Sequence, residues 1–356
     1  MINDEAKEIR SGEELDLLSL EVFLNKNLQN YGKIIGIKQF PGGYSNLTYL
    51  ILTENKNYVL RKPPKGAKAI KGGHNMKREF EILKSLTKAG FDKVPKPIFY
   101  SADESILGSE FYLMEKLEGT ILRNSEFKKQ KEFLSPELMA KLSFQICETQ
   151  AELHKIEIEN TPLQNIGKPE GYIARQVKGW HERYLNAKTD EIKTELLVFN
   201  WLNENMPAEI KPTLLHNDFK YDNVIIDPQN QNILAILDWE MATIGDPRMD
   251  IGTSLSYWCE ASDGDFEKNF NLSWLPGNYT REEYVAHYQK INSKIDLSNI
   301  LYFYVFGLFK NAIIIQQIYA RYKKGLTQDP RFANLILGVK ALMLKSHKSI
   351  LANKML

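Results

Sequence analysis

Residues 214–252 read LLHNDFKYDNVIIDPQNQNILAILDWEMATIGDPRMDIG, and this stretch decides the fold. At its centre stands His216-Asn217-Asp218-Phe219-Lys220-Tyr221-Asp222-Asn223, followed by a short apolar run over 224–226. Asp227-Pro228-Gln229-Asn230 is turn chemistry, and a second apolar run over 233–237 ends on Asp238. Two short apolar runs around such a turn predict a β-hairpin. A hairpin brings its ends together, so the pattern predicts Asp218 and Asn223 at the start beside Asp238 at the exit.

Two carboxylates and an amide oxygen gathered in this way form a hard, all-oxygen site, which suits Mg²⁺ carrying phosphates. Phosphoryl transfer of the kinase type asks for these parts: an Asp to accept the hydroxyl proton, then an Asn and a second Asp to hold metal. The chain has the H-x-D-x-x-x-x-N spacing, with Asp238-Trp239-Glu240 where a kinase has D-F-G. Any one of these residues alone would read as a turn or cap residue; the ordered string with a hairpin between its halves does not.

On these residues the chain resembles the aminoglycoside phosphotransferase superfamily, which shares the protein-kinase-like fold. HNDFKYDN followed by ILDWEMATIGDPRMDIG is most similar to the branch that includes the kinase-like domain fused to certain acyl-CoA dehydrogenases. The resemblance implies an ATP- and Mg²⁺-dependent phosphotransferase. Asp218 would be the catalytic base, Lys220 a cation facing the transferred phosphoryl group, and His216 a support for the loop. Asn223 and Asp238 would be the metal ligands, and Asp250 would brace the loop from the following helix. Locally, Asp246 reads as the N-cap of that helix and Pro247 as its first residue.

Upstream, Pro41-Gly42-Gly43-Tyr44-Ser45-Asn46 lies between strand-like runs. Two glycines alone would suit a plain β-turn or a backbone that approaches phosphate. The resemblance favours the second and places Gly42, Gly43, Ser45 and Asn46 over the nucleotide. No G-x-x-x-x-G-K-[ST] occurs, so this is not a Walker A loop.

Residues 58–64, YVLRKPP, read as a strand ended by prolines. The resemblance puts Arg61 where kinases carry a phosphate-binding lysine, and arginine binds phosphate bidentately. Strand alternation turns Lys62 to the other face. In the helical pattern over 74–86, Glu79 is the expected partner of Arg61. The strand over 110–114 leads to what the resemblance implies is the hinge, where Met114, Glu115 and Leu117 would meet the adenine edge.

Composition bounds the remainder. The 356 residues are 43% hydrophobic and 26% charged, which is ordinary for one bilobal unit or two domains. A net charge of +1 supplies no global field for nucleic acid. Two cysteines, Cys147 and Cys259, argue against a disulfide framework or a zinc site and suit a reducing compartment. The first residues lack an apolar signal core, so a cytoplasmic location is expected. Lys310 and Asn311 interrupt the one membrane-like stretch, 300–319, which therefore reads as a buried helix rather than a span.

Further helices are expected over 13–28, with a Leu17, Leu20, Leu24, Leu28 stripe, and over 136–155, 171–187 and 301–325. Residues 262–278 read as a surface loop, and Thr280 with Glu283 as a capping box. The fold expected is α+β and bilobal. An antiparallel-sheet lobe would span 1–114, and a mainly helical lobe with the catalytic loop, metal site and acceptor helices would span 115–356.

The reaction expected is phosphoryl transfer to a small-molecule hydroxyl, on a hydroxyacyl-CoA or hydroxy acid. Arg175, Lys178, Arg321, Lys323 and Lys324, with the basic loop 65–71, favour an anionic acceptor. A nucleotide-binding pseudokinase and an aminoglycoside-type kinase are the alternatives. The presence of Asp218, Asn223 and Asp238 speaks against the first.

Overall fold

The computed structural model describes residues 5–40, 46–64, 74–327 and 329–356. The first elements are α1 (Leu17–Asn27), β1 (Ile34–Gln39), β2 (Leu47–Thr53), β3 (Tyr58–Lys62), α2 (Met76–Lys88), β4 (Pro97–Ser101), α3 (Glu104–Leu107), β5 (Phe111–Glu115) and β6 (Thr120–Ile121). After them come α4 (Phe127–Gln130), α5 (Pro136–Leu153), α6 (Tyr172–Ala187), α7 (Lys193–Glu204), β7 (Thr213–Leu215), β8 (Val224–Ile226), β9 (Ile233–Ile236) and β10 (Thr243–Gly245). The chain closes with α8 (Pro247–Tyr257), α9 (Arg281–Ile291), α10 (Ile300–Lys323) and α11 (Leu335–Ala352). This is the mixed helix and antiparallel sheet expected, divided between two compact units.

One unit gathers Met1–Ile121, Glu159–Ile166 and Val224–Met241. Its five-stranded antiparallel sheet has the order β1-β2-β3-β5-β4. Strand β2 alternates buried and half-buried residues, as a strand with one face on a core must. Strand β3 is buried at every position. Its Tyr58 and Leu60 join Leu20 and Leu24 of α1 in the core, which leaves Val59 and Arg61 for the opposite face.

Helix α1 begins at Leu17 because Asp16 caps it, accepting from the Ser19 amide at 3.0 Å. The expected start at 13 is therefore too early, and Leu17 and Leu18 are exposed while Leu20 and Leu24 are buried. The predicted hairpin forms in this unit: β8 pairs with β9, Val224 opposite Ile236, and β6 pairs with β8 on its other side. Asp227 holds the turn by accepting from the amides of Gln229 and Asn230.

The second unit gathers Leu122–Ile158, Gly167–Asn223 and Ala242–Leu356. It is mainly helical, with β7 and β10 as a short antiparallel pair. Asp246 caps α8 and Pro247 opens it, as the sequence predicts. Thr280 and Glu283 complete the capping box of α9. Helix α10 lies against α8, α11 and α6. By length and composition α10 could cross a membrane, but 78% of its most apolar window is buried inside the protein.

Close approach of α8 and α10 depends on small residues. A Cβ on Gly252 would come within 2.3 Å of the Phe303 backbone, and one on Gly307 within 2.5 Å of the Gly252 carbonyl. The expectation of a surface loop over 262–278 needs correcting. Asn271, Leu272 and Ser273 are buried, because the Ser273 hydroxyl receives the Cys259 amide at 2.8 Å and returns a bond to the Cys259 carbonyl.

Candidate active site

In the first unit, Arg61 on β3 stands 3.3 Å from Glu79 of α2 and 3.0 Å from Asp238 just beyond β9. Pairing with Glu79 is what the sequence predicts. Glu79 is only 2% exposed, and a buried carboxylate needs such partners. It also accepts from the Tyr112 hydroxyl and the Asn46 amide, both at 3.1 Å. Burial raises the Glu79 carboxyl, and Arg61 draws it back. Burial opposes the Arg61 charge too, but Glu79, Tyr112 and Asp238 outweigh it and hold the guanidinium protonated. Lys62, one residue on, faces the core side and gives its ammonium to the Leu107 carbonyl.

The Asn46 side chain ties this network together. Its amide nitrogen donates to Glu79 and, at 2.9 Å, to Glu240, and its oxygen meets His74 Nδ1 at 2.8 Å. Gly42, Gly43, Ser45 and the basic loop 65–71 lie outside the described residues. Met114 is buried at the end of β5. Glu115 spends its amide on the Lys96 carbonyl at 3.0 Å, and the Leu117 carbonyl accepts from Lys116 Nζ. Of the residues expected to meet the adenine edge, Glu115 thus has its N–H committed to the sheet edge.

In the second unit, β7 delivers the chain to His216 and Asn217, both buried. Asp250 on α8 receives their amides at 3.3 and 2.5 Å, the brace the resemblance implies. Asp250 is held in turn by His154 at 3.0 Å and Gln150 at 3.3 Å, and His154 reaches Tyr288 at 2.6 Å. Burial opposes Asp250 ionisation, yet these bonds hold its carboxyl below the ordinary value.

His216 Nδ1 accepts the Asp218 amide at 3.2 Å. The Asp218 carboxylate then takes Lys220 Nζ at 3.1 Å on one oxygen and Asn223 Nδ2 at 2.8 Å on the other. The Tyr257 hydroxyl also bonds to it, and Lys220 Nζ sits 4.5 Å above the Tyr257 ring. Burial alone would raise the Asp218 carboxyl, but Lys220, His216 and Lys310 keep it below its usual value. It is therefore an anion at neutral pH, as an acceptor for a hydroxyl proton must be.

Among the described residues, no three His, Cys, Asp or Glu side chains cluster at metal-ligand spacing. The donor chemistry nonetheless fits Mg²⁺, which takes one or two protein oxygens and completes its shell with phosphate and water. Asn223 uses its amide nitrogen on Asp218, leaving Oδ1 as the oxygen to offer. Asp238 engages Arg61 through one oxygen only, and among the described residues Arg61 Nε is a buried donor with no partner. That spare donor suits a phosphate.

The five cations expected to face an acceptor are all exposed. Arg175 folds back onto the carbonyls of Lys168 and Glu170. Arg321 and Lys323 occupy the last turn of α10, where carbonyl dipoles already favour positive charge.

Several residues escape sequence reasoning: Tyr257, His154, Glu240 and Lys310. Glu240 stands two residues after Asp238 and has a motif context. The others reach the loop from distant helices, and no local spacing marks them.

A buried basic–acidic network around Arg61 and a braced Asp–Lys–Asn loop are the parts of a kinase-like phosphotransferase. A family model described as "Phosphotransferase enzyme family" matches residues 36–285. The chain belongs to that family. It is 34% identical over 346 residues to Acyl-CoA dehydrogenase family member 11 of Homo sapiens, covering 92% of this chain and 43% of that protein. The chain thus spans less than half the length of this curated relative.

Among solved structures, one assigned as an aminoglycoside phosphotransferase, from Ralstonia eutropha JMP134, superposes with a TM-score of 0.80 at 24% identity. The alignment covers 94% of this chain and 98% of that one. A thermostable mutant of aminoglycoside phosphotransferase APH(4)-Ia, in ternary complex with ADP and hygromycin B, gives a TM-score of 0.61 at 15% identity. It covers 93% of this chain and 98% of that one. These likenesses establish the fold.

Proposed function

We propose that this protein transfers the γ-phosphoryl group of ATP to the hydroxyl of an anionic small molecule, a hydroxyacyl-CoA or a hydroxy acid. The observation that carries the reading is the Asp218 carboxylate, kept anionic and oriented by Lys220 and Asn223 on a loop braced by Asp250. Residues within 1–114 would hold the nucleotide, and those within 115–356 the metal and the acceptor. Asn223 and Asp238 would hold Mg²⁺, which neutralises phosphate charge when bound.

The acceptor oxygen attacks the γ-phosphorus as the bond to the ADP oxygen breaks, and Asp218 takes the hydroxyl proton. Lys220 faces the charge on the transferred group, and Arg61 contacts phosphate. Catalysis would come from positioning and electrostatics, since phosphoryl transfer needs little covalent help.

The acceptor class draws support from the relative's dehydrogenase name and from the exposed cations, because phosphorylating a hydroxyl makes it a leaving group. The complex with ADP and hygromycin B favours a second reading, an aminoglycoside acceptor. Incubation with Mg-ATP and a panel of 4-hydroxyacyl-CoA, the free hydroxy acid and kanamycin, read by mass spectrometry, decides between them. Phosphate on the first two is expected. Phosphate on kanamycin alone would reject the anionic acceptor, and no transfer to any hydroxyl with ATP bound would favour a pseudokinase.

A further inference from the structure

Helix α10 is largely buried within the second unit, yet a lysine sits at its middle. Lys310 is 3% exposed. Lysine is almost never buried to that degree unless paired, and a buried cation without an adjacent carboxylate costs stability. Packing alone does not account for it. Its Nζ donates at 2.7 Å to the carbonyl of Asn217, its one hydrogen bond among the described residues. The Trp180 ring lies 5.9 Å away.

Asn217 is the residue before Asp218, and its φ of 66° is left-handed. Such a conformation is rare outside glycine and persists where the surroundings over-determine it. Here they do. The Asn217 amide goes to Asp250 at 2.5 Å, its side chain meets the Tyr172 hydroxyl at 3.3 Å, and its carbonyl goes to Lys310. The same peptide unit presents its N–H, that of Asp218, to His216. A peptide bonded through both its C=O and its N–H cannot rotate without breaking one of them, so the direction in which Asp218 leaves the backbone is set.

We propose that Lys310 is a positioning residue for phosphoryl transfer: its buried ammonium clamps the Asn217–Asp218 peptide and so aims the Asp218 carboxylate. This rests on the reading of Asp218 as the base. The charged groups that act on Lys310 are Asp218 and Lys220 on the loop, Asp250 on α8 and Arg183 on α6. Burial pushes its ammonium down to about 8 against the pull of Asp218 and Asp250, so it carries its proton at neutral pH. A neutral donor would satisfy the carbonyl; the ammonium also places a positive charge behind the base.

The test uses the full chain with Lys310→Met, which keeps the length and apolar stem of the side chain. Hydrogen–deuterium exchange over 214–223 should quicken at least tenfold while α8 stays protected. The kcat with Mg-ATP and 4-hydroxyacyl-CoA should fall at least thirtyfold, with the KM for ATP within threefold. A residue that only stabilised the fold would not separate kcat from KM in this way. Lys310→Arg, which keeps donor and charge, should restore at least a third of the rate and the loop protection.

Unchanged exchange in a folded Lys310→Met overturns the clamp. So does kcat within twofold of wild type, and so does unfolding of both variants, which would assign Lys310 to the core alone. Absence of transfer by the wild type would defeat the kinase reading instead, and the exchange measurement would still decide whether Lys310 holds the loop.

Discussion

Arg61 and Lys62 are neighbours on one strand with opposite surroundings: acids on one side, the Leu107 carbonyl on the other. Arg61→Lys keeps a cation but loses the fork that spans Glu79 and Asp238, so the KM for ATP should rise about tenfold, the size of one charge-assisted hydrogen bond. Lys62→Met should leave ATP use within threefold and cost stability of about 1–3 kcal/mol for the unmet carbonyl. Steady-state kinetics and urea unfolding separate the two, and a larger kinetic effect from Lys62→Met would reject Arg61 as the phosphate contact. Asp218→Asn tests the loop in the same way. It keeps the side-chain shape and loses the proton acceptor, so kcat should fall by roughly 10²–10⁴ with ADP binding retained. An active Asp218→Asn would move the base elsewhere.

At the scale of elements, the contact of α8 with α10 governs the loop, because α8 carries Asp250 and α10 carries Lys310. Gly252→Ala would put a methyl 2.3 Å from the Phe303 backbone. Overpacking of this kind costs about 1–3 kcal/mol, and thermal unfolding should show the lowered midpoint; an unchanged midpoint would mean that the helices can part at no cost. This scale also separates what the sequence made legible from what it hid. The hairpin, the Asp246–Pro247 helix start and the Thr280–Glu283 box were readable because each is a local bargain between neighbouring backbone groups. The Arg61–Glu79 pair was legible through strand alternation and the family resemblance together. Tyr257, His154 and Lys310 were hidden because their partners lie far away in sequence, Lys310 93 residues from Asn217 and His154 96 from Asp250, where no periodicity links them. Lys310 was noticed as a charge interrupting an apolar run, but that pattern carries no sign of the carbonyl it meets. The burial of 271–273 was missed because the polar composition of the segment resembles that of a solvated loop, whereas here the Ser273 hydroxyl is spent on the Cys259 backbone.

For the whole molecule, the proposed nucleotide should appear as stability as well as rate. A ligand that binds only the folded chain adds RT ln(1 + [L]/Kd), about 2.7 kcal/mol at a hundredfold excess over Kd. Unfolding entropy near 2.1 cal/mol/K per residue gives a chain of 356 residues roughly 0.75 kcal/mol/K at the midpoint. Saturating Mg-ADP should therefore raise Tm by about 3–4 °C. The part of that shift that requires Mg²⁺ should vanish in Asp238→Ala, since Asp238 is the proposed ligand and loses its carboxylate. The same substitution frees Arg61 from one of its two acids, so binding of ADP without metal should be retained or strengthened. Differential scanning fluorimetry with ADP, with and without Mg²⁺, on wild type and variant gives the four values needed. A Mg²⁺-dependent shift that survives in Asp238→Ala would take the metal away from Asp238, while no shift with any purine nucleotide in the wild type would remove the nucleotide itself.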